Sequence, residues 1–278
     1  MFTTLISAAE LAAHLGDSGY IVFDCRFDLT NTEAGRRAYG ESHISGAHYL
    51  HLDEHLAGPK SGTNGRHPLP DQARFCAMLA DLGMRDGMQA VAYDASGGYY
   101  AARLWWMLRW SGHDACAVLD GGWDGWRNAN YPVDSRTPNP SRGSFTCKTQ
   151  PLAVDVQFIQ KHLGSTSELV IDARSPDRFR GENETLDPVG GHIPGAKNRF
   201  FKDNLTADGR FKPAAELRAD FSDLIGSISS GNVIHQCGSG VTACHNLLAM
   251  EIAGLTGSRP YPGSWSEWCS DPVRPIAR

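Results

Sequence analysis

The stretch Leu169-Val170-Ile171-Asp172-Ala173-Arg174 matches an earlier one, Ile21-Val22-Phe23-Asp24-Cys25-Arg26, in the character of nearly every position. Each is a short apolar run that stops at an acid, the pattern of a strand buried on both faces. The correspondence continues in order along the chain. His43-Ile44-Ser45-Gly46-Ala47 returns as His192-Ile193-Pro194-Gly195-Ala196, and Trp123 and Trp126 return as Trp265 and Trp268. Between them, Val91-Ala92-Tyr93-Asp94-Ala95-Ser96-Gly97-Gly98 aligns without gaps to Val233-Ile234-His235-Gln236-Cys237-Gly238-Ser239-Gly240. The offset is 148 or 149 residues in the early blocks and 142 in the later ones. A single shortening of about seven residues in the second copy reconciles them, so a domain of about 130 residues has been duplicated.

In each copy the apolar runs alternate with helical patterns, which implies an α/β fold: two tandem domains, each a central, mostly parallel sheet flanked by helices. Strands are expected at 20–24, 90–93 and 116–119, and again at 168–172 and 232–236. Ser7 and Glu10 have the spacing of a capping box, and Asp155 is placed to cap a helix whose Val156, Ile159 and Leu163 share a face. Residues 132–151 contain four prolines and little periodicity. The organisation is therefore an N-terminal domain at 1–133, a linker at 134–151 and a C-terminal domain at 152–278.

The bulk properties fit this reading. A chain of 278 residues with 41% hydrophobic composition is long enough for two ordinary cores. Its formal net charge is -5 with scattered basic residues, so it carries no electrostatic footprint for nucleic acid or an anionic membrane. No run reaches the length of a membrane span and no targeting segment precedes the first helix, which points to the cytoplasm. Seven cysteines, odd in number, widely spaced and without a CxxC pair, argue against a disulfide framework or zinc site. Reduced and mostly inert thiols are expected.

The two copies differ most where Cys237 stands. In the ungapped alignment its counterpart is Ala95. Cys237 follows a strand and opens Gly238-Ser239-Gly240-Val241-Thr242, after which Ala243-Cys244-His245-Asn246-Leu247 begins a helix. Strand, tight loop, helix: glycines let successive N–H groups curl inward into an anion nest reinforced by the helix's positive end. A cysteine sulfur at that focus is favoured as thiolate, the nucleophilic form, and a persulfide anion is held equally well. The plainer reading makes Cys237 one more core cysteine. The two adjacent glycines, and an alanine at the matching place in the other copy, favour the reactive one. Cys244 lies seven residues on, about 10 Å by helix rise, and reads as core rather than as a resolving thiol.

The run Cys237-Gly238-Ser239-Gly240-Val241-Thr242-Ala243 resembles the active-site loop of the rhodanese superfamily, in particular of its tandem-domain sulfurtransferases that use 3-mercaptopyruvate or thiosulfate. The resemblance spans the whole chain through the paired Asp-x-Arg, His-Ile-x-Gly-Ala and Gly-x-x-x-Trp blocks and the stretch Ala102-Arg103-Leu104-Trp105-Trp106-Met107-Leu108. It implies a catalytically inactive first domain. It also implies a two-step cycle in which a small anionic donor hands sulfane sulfur to Cys237 and an acceptor (cyanide, a thiol or thioredoxin) removes it. No cofactor is implied beyond the covalent persulfide. Arg178 occupies the position of the family's donor-binding arginine, a suitable group for a small anion.

Two features pull the donor in opposite directions. The mercaptopyruvate enzymes carry a second arginine nine residues after the first, and here that residue is Asp187. Thiosulfate enzymes carry a basic pair after the cysteine, and here those residues are Gly238 and Ser239. Both donors stay open on the sequence. Ser239 resembles the family's loop serine. Arg66 and His67, in a turn-rich segment without a counterpart in the second copy, are candidates to line the cleft, as is His43. His43 is matched by His192, however, which favours a shared packing role. Trp105 and Trp106 read as packing.

Rival chemistries fail on spacing. A cysteine phosphatase or arsenate reductase needs an arginine six residues after the cysteine, and that residue is Ala243. Cys244 and His245 are sequential on a helix and point apart, so they make no metal site with His235 and Cys237. Ser239 has Cys237 and Val241 at minus two and plus two, not the glycines that a nucleophile elbow requires. The remaining alternative of another class is a non-catalytic sulfur-carrier or sensor module.

Overall fold

The computed structural model describes all 278 residues, and these form two compact units. Unit 1 comprises Met1–Gly58, Leu69–Pro151 and Ala207–Phe211. Unit 2 comprises Pro59–Pro68, Leu152–Thr206 and Lys212–Arg278. The units are therefore not the two halves of the sequence. Ten residues of the first half complete the second unit, and five of the second half complete the first.

Unit 1 is built on a five-stranded, all-parallel sheet in the order Leu5–Ile6, Cys116–Leu119, Gln89–Tyr93, Tyr20–Asp24, His48–Tyr49. Unit 2 has a four-stranded parallel sheet in the order Arg259–Pro260, Val233–Gln236, Leu169–Asp172, Lys197–Asn198. The strands fall where the apolar runs place them. In unit 1 the core packs Ile6, Leu11, Val22, Val91, Tyr93 and Trp126 together, and in unit 2 it packs Val156, Ile159, Ile234, Tyr261, Trp265 and Trp268. The helix starts follow the sequence too. Ser7 and Glu10 form the reciprocal capping box, and the Asp155 carboxylate accepts the N–H of Phe158 at 2.8 Å. No helix is long and apolar enough to cross a membrane.

The repeated Asp-x-Arg motif does the same packing work twice. Arg26 grips Asp24 at 2.6 Å, donates to the Ser42 carbonyl and lies 4.4 Å from the Trp123 ring centre. Arg174 grips Asp172 at 2.6 Å, donates to the Gly191 carbonyl and lies 4.7 Å from Trp265. Both carboxylates are fully buried. An unpaired charge there would cost several kcal/mol, so neither partner is replaceable alone.

One expectation about cysteine is corrected. Cys76, on the helix Gln72–Asp81, forms a disulfide with Cys147 in the proline-rich segment, their Cα atoms 5.9 Å apart across 71 residues of sequence. Residues 141–150 fold back along that helix. There the Gly143 N–H bonds to the Ala80 carbonyl and Lys148 to Ser111. Spacing in the chain gives no hint of that return path. Cys25, Cys116, Cys237, Cys244 and Cys269 are free and buried.

Candidate active site

The strand Val233–Gln236 ends at Cys237, and the helix Ala243–Ile252 begins six residues on. Cys237 is 2% exposed. Its sulfur accepts the Gly240 N–H at 3.1 Å, one bond of the expected nest. Gly240 has φ +80°, and a side chain on it would run into the Pro262 carbonyl, so only glycine allows the turn that brings its N–H round.

The cysteine's own backbone is fixed from the other side by the turn before the helix Ser264–Trp268. Its N–H donates to Ser264 Oγ at 3.1 Å, and its carbonyl accepts from Trp265 N at 3.0 Å. Ser264 is fully buried at φ +54°, a strained conformation for a residue with a side chain, and its hydroxyl donates to the Tyr261 carbonyl. Cys244 is buried with its sulfur 3.5 Å from the Gly240 carbonyl, as a core residue.

Residues 59–68 bring Arg66 and His67 into this unit. The segment docks on the 263–266 turn, where the Arg66 N–H donates to Ser266 Oγ at 3.0 Å. Gly65 at φ +86° allows the approach, since a Cβ there would lie 2.7 Å from the Gly263 carbonyl oxygen. His67, buried, has Nδ1 2.8 Å from Ser239 Oγ. The Arg66 guanidinium pairs with Asp187 through Nη1.

Arg178 is held by Glu184, through Nε at 3.1 Å and Nη2 at 2.8 Å, and its Nη2 is 3.6 Å from Asp187. Arg66 and Arg178 meet at Gly238. A Cβ on that glycine would lie 2.8 Å from Arg66 Nη2 and 3.5 and 3.6 Å from the two terminal nitrogens of Arg178. The loop thus carries no charge of its own, and two guanidiniums from elsewhere in the unit fill the space a basic side chain at 238 would need.

Glu184 and Asp187 both have side chains only 3% exposed, yet they differ. Burial pushes the Glu184 carboxyl up, but the bonds from Arg178 and the Leu186 N–H outweigh it and leave it below the usual range. Burial dominates at Asp187 and leaves its carboxyl raised despite Arg66.

Of the sequence candidates, Cys237, the loop, Arg66, His67, Ser239 and Arg178 come together. His43 does not join them. It is fully buried in unit 1, stacked on Tyr39 at 3.9 Å with Nδ1 at 2.7 Å from the Tyr39 carbonyl. His192 repeats that arrangement on Phe179 in unit 2. Glu184, Ser264 and the partnership of Asp187 with Arg66 were not read from the sequence. An acid six residues after Arg178 and a serine at the end of Tyr261-Pro262-Gly263 were the only signals.

The alignment of Cys237 with Ala95 is also corrected. Tyr93 lies opposite Asp24 as Gln236 lies opposite Asp172, and Trp123 N bonds to the Asp94 carbonyl as Trp265 N does to that of Cys237. The counterpart of Cys237 is Asp94. Ala95 is exposed, and the loop of unit 1 is one residue longer.

A buried cysteine at the end of a parallel strand, wrapped by a glycine loop that leads into a helix and flanked by arginines, is an arrangement suited to covalent group transfer. The rhodanese-like domain family matches at residues 7–129 and again at 155–271. The chain belongs to the rhodanese family and is a sulfurtransferase. It is 44% identical over 278 residues to a Pseudomonas aeruginosa protein named "Probable 3-mercaptopyruvate sulfurtransferase", covering 98% of this chain and 97% of that one. It is 34% identical over 279 residues to the thiosulfate sulfurtransferase of Mus musculus, covering 96% and 92%. Among solved structures, 3-mercaptopyruvate sulfurtransferase from Leishmania major superposes with a TM-score of 0.85 at 29% identity, covering 98% of this chain and 75% of the other.

Proposed function

We propose that the enzyme takes sulfur from 3-mercaptopyruvate in preference to thiosulfate, with Cys237 as the nucleophile. The observation that carries this reading is the contact between His67 Nδ1 and Ser239 Oγ at 2.8 Å, two residues from Cys237. The two donors differ in one chemical need. Mercaptopyruvate brings its sulfur as a thiol on C3, so a proton must leave sulfur and one must arrive at carbon. Thiosulfate has no proton to move. A hydroxyl and imidazole in contact beside the nucleophile serve the first donor and are idle with the second.

In the forward step the Cys237 thiolate attacks the donor sulfur. The S–S bond forms, the C3–S bond breaks with its electron pair passing into the enolate of pyruvate, and the thiol proton travels through Ser239 and His67 to C3. Cys237 is left as the persulfide anion, held by the Gly240 N–H. An acceptor (cyanide, a small thiol or a thioredoxin-like dithiol) then attacks the outer sulfur and the Cys237 thiolate leaves. Between donor and acceptor the sulfur is carried on Cys237, and the cycle as written calls for no metal or cofactor. Arg178, steadied by Glu184, binds the donor anion. Unit 1 is catalytically idle in this scheme; residues 134–151, expected as a linker, belong to it, and the second domain begins at 152 apart from the exchanged segments. We place the enzyme in the cytoplasm, on the strength of its five buried free thiols.

The test is kcat/KM for the two donors measured side by side with cyanide as acceptor, the product read as thiocyanate. Mercaptopyruvate is expected to lead by at least about tenfold, and His67→Asn to lower its rate while leaving that of thiosulfate nearly unchanged. A thiosulfate value equal to or above that of mercaptopyruvate overturns the donor. Intact mass after incubation with donor is expected to show one added sulfur atom, absent in Cys237→Ser.

A further inference from the structure

Arg66 and the acid it pairs with, Asp187, have no part in the scheme so far. Arg66 uses its backbone N–H on Ser266 and its Nη1 on Asp187, and the structure gives its Nη2 no hydrogen bond. Arg178 spends Nε and Nη2 on Glu184. What remains unspent is one terminal nitrogen on each arginine, and Gly238, bare of a side chain, faces both groups. Two N–H donors from separate guanidiniums, both aimed at Gly238 beside Cys237, match the two oxygens of a carboxylate.

The countercharge is equally specific. Two arginines here face two buried acids, so the donor pocket is close to neutral before anything binds. Asp187 is in addition under-satisfied: its Oδ2 is buried, accepts no hydrogen bond and lies 3.6 Å from Arg178 Nη2. A second negative charge brought against that oxygen finds no spare cation to offset it, whereas a single carboxylate uses the two free N–H groups and stops there.

Resting on the sulfurtransferase reading above, we propose that Arg66 and Asp187 form the selectivity element of this site: Arg66 shares the donor's carboxylate with Arg178, and Asp187 sets a charge limit that admits a 2-oxo carboxylate monoanion and disfavours the thiosulfate dianion. Arg66 reaches the site through the fold, from a segment 121 residues before its partner.

The test uses the full-length protein with pyruvate as a sulfur-free probe, by calorimetry, together with steady-state kinetics on both donors. In Arg66→Ala, pyruvate affinity falls by about tenfold or more and KM for mercaptopyruvate rises by a similar factor, while kcat stays within about threefold, the worth of one charge-assisted hydrogen bond lost from binding alone. Arg66→Lys recovers part of the affinity. In Asp187→Asn the thiosulfate-to-mercaptopyruvate ratio of kcat/KM rises by about tenfold. Pyruvate binding unchanged in Arg66→Ala, or a donor ratio unmoved in Asp187→Asn, overturns the proposal. So does an equal loss in Arg66→Ala and Arg66→Lys accompanied by a lower thermal midpoint, because that marks the ion pair as a brace for the segment. Absence of a persulfide on wild-type Cys237 would instead fail the sulfur-transfer reading, and the pyruvate measurement still judges this one.

Discussion

The loop after strand Gln89–Tyr93 and the loop after strand Val233–Gln236 are two answers to one geometry. Both sit at the carboxyl end of a central parallel strand and lead into a ten-residue helix. In unit 2 the loop closes on a sulfur. In unit 1 it closes on the Asp94 carboxylate, which accepts the N–H groups of Ser96, Gly98, Tyr100 and Ala101 at 2.7–2.9 Å. Burial pushes the Asp94 carboxyl up, and those four bonds pull the other way by favouring the ionised form. The fold therefore offers an anion-binding nest whether or not chemistry is wanted. Filled from within by an acid, it is a structural plug; filled by a thiol, it faces a substrate. A matching contrast lies one turn away. Gly122 holds φ +52° where Ser264 holds φ +54°, so unit 2 accepts backbone strain and gains a hydroxyl to bond the Cys237 N–H.

The comparison breaks most severely if its two occupants are exchanged. Cys237→Asp copies the idle arrangement into unit 2: thiocyanate formation is expected to fall by at least about a thousandfold, with the thermal midpoint within a few degrees of wild type. A collapse of stability would show that the second nest is shaped for sulfur alone. Asp94→Ala empties the first nest and leaves four N–H groups, three of them buried, without an acceptor. Urea unfolding should register a loss of about 3 kcal/mol or more, with the rate of persulfide formation in the folded fraction unchanged.

Acid should discriminate between the units more mildly. His235, one residue before Gln236, is fully buried and pushed down to about 3 by burial, and its counterpart in unit 1 is Ala92. Its folded value lies below the unfolded one near 6.5, so the unfolded chain binds the extra proton. Stability is complete above about pH 6.5 and falls as the pH drops towards 3, by roughly 1 kcal/mol per unit. His235→Leu should flatten that part of the profile in urea titrations, and an unchanged slope would assign the loss elsewhere. The smallest effect belongs to Ser264→Gly, which removes strain and two hydrogen bonds together. Stability should stay within about 1 kcal/mol, and kcat should fall a few-fold as the Cys237 backbone loosens.

The strands, the duplication and the setting of Cys237 were legible because each rests on a local pattern: apolar runs ended by acids, and a cysteine between a strand and a glycine loop. Arg66 and His67 were visible as a segment that breaks the repeat. The exact counterpart of Cys237 was missed because an ungapped alignment cannot see a loop one residue longer, so Ala95 stood in for Asp94. The Arg66–Asp187 pair was invisible for another reason. Asp187 looked like the loss of a cation, and only folding brings the replacement from the other end of the chain. The Cys76–Cys147 disulfide escaped in the same way, since both depend on a return path that no periodicity records.

The exchange of short segments also bears on why both copies stay in one chain. The catalytic unit takes Arg66 and His67 from residues 59–68, and the first unit takes Phe211, whose N–H bonds to Asp120 at 3.0 Å, from residues 207–211. Any cut that frees one copy as an independent gene strips a working part from the other. With residues 59–68 and 207–211 exchanged, the two copies can be passed on whole only together.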